Sequence, residues 1–145
     1  MSPQTRPRTR SVHEAIGQAC QITVSKDGRM VAFATVTTTD RDELFANVHI
    51  EPGHVPVQTR PALVDALMAV AGSDHARHLS LVMPMGDCLL EDLYRRCDVR
   101  GLRPAGATCL VSAEVAASVR AGRGVRRHGP PPHEHQVDVA VQPLV

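Results

Sequence analysis

Histidines, arginines and cysteines are the side chains whose spacing in this chain first invites a chemical reading. His128, His133 and His135 cluster near the C-terminus, and a His-x-His pair on a strand can turn two imidazoles toward one metal ion. Pro130 to Pro132 favour an extended tail instead, and no cysteine or carboxylate cluster completes four ligands, so no metal site is expected. Arg95, Arg96, Arg100, Arg103, Arg120, Arg123, Arg126 and Arg127 concentrate positive charge in the C-terminal third, which suits phosphates or an acidic protein partner. Phe33, Phe45 and Tyr94 are the only Phe, Tyr or Trp residues, so bases would find almost nothing to stack on and nucleic acid is not the expected partner. Cys20, Cys88, Cys97 and Cys109 form neither a C-x-x-C pair nor a disulfide framework; they read as reduced thiols in a cytoplasmic protein. His49 shares a strand face with Asn47 and Glu51 and has an ordinary pKa near 6.5, so it is a candidate base as well as a plain half-exposed sheet residue.

The elements that must position these groups follow from composition and periodicity. With 145 residues, 43% hydrophobic and 21% charged, the chain has the usage of one globular domain, which buries about 68% of its extended surface. Its formal net charge of +1 names no partner, and no apolar run approaches the roughly 18 residues that cross a bilayer, so no membrane is expected. Residues 1–19, rich in Arg and Pro, read as a flexible N-terminal arm without a secretory leader. Gln21–Val24 and Met30–Thr37 are β-rich runs around Asp27-Gly28, which predicts an antiparallel hairpin whose second strand is interior. From Glu43 to Glu51 the pattern alternates strictly, with Leu44, Ala46, Val48 and Ile50 on one side, which predicts a third strand.

Pro61 then opens a helix whose Leu63, Leu67, Val70 and Ala71 share a face, with Asp65 complementing its positive end. Leu79–Met83 is a short buried strand. Gly86-Asp87 caps a second helix carrying Leu89, Leu93 and Cys97 on one face and Arg95 and Arg96 in its last turn. Ala107–Val111 reads as a last strand. The expected fold is therefore α/β, a single mixed sheet in which an antiparallel hairpin precedes β-α-β-α-β with parallel pairing. Residues 20–112 form this domain, and 113–145 a basic helix (113–120) followed by a Pro/His-rich tail.

Two stretches, ELFANVHIEPGHVPVQTRPALVDALMAVA and HLSLVMPMGDCLLEDLYRRCDVRGLRPAG, together with this order of elements, resemble the GNAT acyltransferase superfamily over residues 20–112. The first resembles the family's central strand, pyrophosphate loop and helix, and the second its next strand and the helix bearing Leu93-Tyr94. The resemblance implies acetyl-CoA or another acyl-CoA as cofactor, held near Ile50, Gln58, Arg60, Ala62 and Asp87. It also implies Glu43 as general base and Tyr94 as the acid that protonates the departing thiolate. Without it, Glu43 reads as a solvated strand-edge carboxylate and Tyr94 as a core ring with its hydroxyl at the rim.

The family's loop, Arg/Gln-x-x-Gly-x-Gly/Ala, corresponds to Gln58-Thr59-Arg60-Pro61-Ala62-Leu63. Pro61 takes a glycine position without an N–H to donate, and Leu63 a small-residue position, although Arg60 keeps a guanidinium for a phosphate. Asp87 stands where the family often has Asn, Leu90 where it has Ala, and Asp98-Val99 where it has Gly-Phe. The stretch before Gln21 is too short for the family's first strand and two helices. Three functions follow as expectations: a GNAT-like module with impaired acyl-CoA binding that binds or assembles, including with itself through an uncovered sheet edge or face; an active N-acyltransferase acting on an amine; and a basic-tailed regulator associated with nucleic acid.

Overall fold

A computed structural model of the chain describes residues 19–39, 42–115 and 136–144. β1 (Ala19–Lys26) and β2 (Arg29–Thr38) form the expected antiparallel hairpin. Asp27 and Gly28 close it with φ of 54° and 80°, the left-handed pair that matches the twist of a two-residue hairpin turn. β2 is interior, between β1 and β3 (Glu43–Ile50), and the alternation of β3 is realised with Leu44, Ala46, Val48 and Ile50 buried and Phe45, Asn47 and His49 exposed.

α1 (Thr59–Ser73) returns the chain to β4 (His78–Pro84), which pairs parallel with β3. Leu63, Leu67 and Ala71 of α1 are buried as expected, and Val64 and Met68 widen that face into the core. Asp65 lies outside the first turn and does not complement the positive helix end; it pairs with Arg96 of α2 (Leu89–Arg96), tying the two helices together. Leu89 and Leu93 bury α2 against the same sheet face as α1. The other face, carrying Thr23, Phe33, Thr35, Phe45, Asn47 and His49, has no helix over it among the described residues.

Three expectations are corrected at the end of the chain. Asp98–Ala105 forms a further strand, β5, which turns at Gly106 (φ 68°) into β6 (Thr108–Glu114). The succession after β3 is thus not uniformly parallel: β6 pairs antiparallel with both β4 and β5, and only β3 with β4 is parallel. A basic helix cannot start at Ala113, because Ala113 and Glu114 belong to β6 and Val115 follows it outside any helix; residues 116–120 lie outside the described ones. The tail also contributes a strand, β7 (Asp138–Leu144), antiparallel to β1. The sheet order is β5-β6-β4-β3-β2-β1-β7. Most of the N-terminal arm, and His128, His133 and His135, fall outside the described residues. Among the described residues no helix is long and apolar enough to cross a membrane.

Candidate functional site

Two neighbouring parallel strands stop sharing hydrogen bonds before either ends. Pairing of β3 with β4 runs from Glu43 opposite His78 to Asn47 opposite Val82. Beyond it, β3 continues to Ile50 against β2, and β4 continues to Pro84 against β6. The strands therefore part at their carboxyl ends, the place where α/β sheets present loops and helix N-termini to a ligand.

The loops leaving those ends meet across the gap. Arg60, in the first turn of α1, donates from Nε to Asp87 Oδ1 at 2.6 Å and from Nη2 to Oδ2 at 3.0 Å. Asp87, in the loop between β4 and α2, also accepts from the Leu89 amide at 2.8 Å, so one carboxylate caps α2 and clasps α1. The pair is largely enclosed, with 24% of the Arg60 and 12% of the Asp87 side chain exposed. Burial raises the Asp87 carboxyl, but the hydrogen bonds from Arg60 and Leu89 and the guanidinium charge outweigh it and hold it below the ordinary carboxylate range. The hydrogen bond to Asp87 raises Arg60 further, against the opposing effect of burial.

Three backbone positions of this turn offer a diphosphate no free donor. The Thr59 amide donates to Pro56 O and the Ala62 amide to Gln58 O, both at 3.0 Å, and Pro61 has no N–H. Gln58 is the N-cap residue of α1 but makes no side-chain cap bond, and Ile50 is buried opposite Ala32. Thr59 Oγ1 is buried without a partner, yet its side chain is wholly enclosed and so sealed from an anion outside.

The two expected catalytic groups are not brought together. Glu43 lies at the closed end of β3, four residues and about 13 Å from Asn47 at strand rise, where its carboxylate accepts from Ser80 Oγ at 2.9 Å. Its side chain stands on the helix-free face, whereas Tyr94 is 57% exposed on α2, on the opposite side of the sheet. His49 is placed nearer the parting. It stacks on Phe33 with ring centroids 5.1 Å apart, and its Nε2 lies 3.6 Å from Glu51 Oε2. Cross-strand register, Phe33 opposite His49, is the signal that could have linked that pair. Of the basic cluster, Arg95 pairs with Asp92, Arg96 with Asp65, and Arg100 with Asp98 and Glu114, which tempers its positive field.

No protein-family profile matches the sequence and no curated protein matches it in a search by similarity. Solved structures do match. A putative acetyltransferase, yncA, from Salmonella typhimurium, solved with acetyl-CoA, aligns with TM-score 0.53 at 12% identity over 79% of this chain and 73% of that one. A putative acyl-CoA N-acyltransferase from Klebsiella pneumoniae gives TM-score 0.53 at 16% identity, covering 76% and 86%. The ribosomal-protein-S18-alanine N-acetyltransferase from Escherichia coli gives 0.51 at 16%, covering 73% and 74%. The chain has the GNAT fold.

Proposed function

We propose that this GNAT-fold chain is a non-catalytic binding module that does not take up acyl-CoA. The observation that carries the reading is the bidentate Arg60–Asp87 pair across the parting of β3 and β4. A diphosphate entering there would have to displace a carboxylate already aligned on the guanidinium, or stand beside its negative charge; either lowers affinity. Pro61 is silent and the Thr59 and Ala62 amides are occupied, so these three positions of the turn add no compensating donor. The surface proposed for binding is the sheet face that carries no helix among the described residues, with Phe45 41% exposed and Phe33 beside His49, and a second copy of the chain is the partner proposed for it. Titration calorimetry with acetyl-CoA tests the reading. No saturable heat at millimolar ligand is expected, and micromolar binding that weakens in Arg60→Ala would overturn it.

One observation favours a second reading, an N-acyltransferase acting on an amine: the strands part where an acyl donor would enter. There His49, held by Phe33 and Glu51, and not Glu43, would take the proton from the acceptor. Turnover of acetyl-CoA with an amine panel, abolished in His49→Gln, would establish it.

A further inference from the structure

A groove of about 240 Å³ lies at the far end of α1 from the Arg60–Asp87 pair, where the last turn of the helix meets the start of β1, the end of β2 and the strand β7. Its walls divide by chemistry. Val70, Val141, Pro143 and Ala19 are apolar, while Asp74, Thr38, Ser73 and Cys20 bring a carboxylate, two hydroxyls and a thiol. From these we propose that the groove binds a small primary alkylammonium ion, its charged head on Asp74 and its hydrocarbon body against Val70 and Val141.

The charge balance of the groove is one-sided. Asp74 ends α1 and accepts from Thr38 Oγ1 at 2.7 Å, and no Lys or Arg among the described residues pairs with it. The last turn of α1 carries no basic residue, so no side-chain cation of that turn offsets the negative end of the helix dipole beside the carboxylate. The Cys20 thiol registers the resulting field: burial raises it, and the charge of Asp74 raises it further. A cation relieves all three. The hydroxyls of Thr38 and Ser73 can accept from two of the three donors of an ammonium, a match that a quaternary amine, which has no N–H, lacks.

The rest of the wall specifies what hangs from the ammonium. Val141 is 49% exposed on β7 although its neighbours toward the sheet are apolar, so a hydrocarbon lying there removes water from both sides. The groove is smaller than the roughly 300 Å³ at which pockets for larger ligands begin, which limits the body to a few carbons. It lies at the opposite end of α1 from the parting of β3 and β4, so it stands whichever reading of that site holds.

The test is calorimetric titration of the full chain with n-butylammonium chloride, with n-butanol as the uncharged isostere. Saturable binding of the amine alone is expected, with affinity reduced about tenfold or more in Asp74→Asn, which keeps an acceptor for Thr38. Val141→Lys, on an exposed strand position, should abolish binding by placing a tethered ammonium at Asp74. Equal binding of butanol, undiminished binding in Asp74→Asn, or no saturable heat at millimolar amine would overturn the proposal.

Discussion

Asp87 accepts from Nε and Nη2 of the Arg60 guanidinium and from the Leu89 amide, so a single carboxylate holds the N-terminal turns of two helices together. Arg60 would otherwise be the natural counterion for a phosphate at the start of α1. The carboxylate at one loop position thus sets the electrostatics of the loop across from it.

Asp87→Asn should release Arg60. Inorganic pyrophosphate is expected to bind the variant about tenfold more tightly than the wild type, with Pro61 limiting the gain. Calorimetry measures this, and unchanged affinity would mean that the pair is not what excludes the anion.

The same pair carries a pH dependence of known sign. The folded carboxyl titrates below its unfolded value near 3.9, so its contribution to stability is complete above about pH 4 and is lost as pH falls through the folded value. Urea midpoints measured at about pH 6 and about pH 3 should therefore differ less in Asp87→Asn than in the wild type. An equal loss in both proteins would assign the acid limb to other carboxylates.

Burial and charge pairing should separate cleanly on α2. Leu93→Ala removes a wholly buried side chain and is expected to cost about 2–5 kcal/mol. Asp65→Ala breaks the pair with Arg96, but Asp65 is more than half exposed, and the loss should stay below about 1 kcal/mol. Chemical denaturation of the two variants decides it.

The thiols should react in the order of their surroundings. Cys97 is pushed up to about 11 by burial, with Asp98 adding to it against Arg96, and its Sγ lies 3.3 Å from Leu93 O. At about pH 8 roughly one Cys97 in a thousand is thiolate. Iodoacetamide should therefore label the exposed Cys88 first and leave Cys97 and the buried Cys109 until the fold opens. Early labelling of Cys97, read by mass spectrometry, would show that α2 frays.

Phe45→Asp places a charge on the helix-free face without touching the core. If a second copy docks there, sedimentation velocity will show an oligomer in the wild type and a monomer in the variant. A wild-type monomer at all concentrations would remove self-assembly from the proposed function.

The chain's local patterns were enough for the central elements. Strict alternation from Leu44 to Ile50 and the Asp27-Gly28 turn translate directly into β3 and the β1–β2 hairpin, because a strand with one buried face and a turn with positive φ each impose a residue type at a fixed position. The edge strands were not readable in this way. β5 holds Arg100, Gly101, Arg103 and Pro104, and β7 holds Pro143, residues that protect a sheet edge and at the same time disguise it as a loop.

For the site, the sequence marked Pro61, Leu63 and Asp87 as departures from the pattern it resembles and Arg60 as a cation kept for a phosphate, since a missing N–H, a bulky side chain and a charge are properties of the residues themselves. Whether Arg60 faces a ligand or Asp87 depends on two loops separated by a strand and a helix, and only the parting of β3 from β4 brings them within 2.6 Å. Likewise the groove beside Cys20 joins Thr38, Asp74 and Val141 from distant stretches of chain. Local pattern reports what a residue can do; the partner that decides what it does is chosen by packing, which sums weak preferences over the whole sheet.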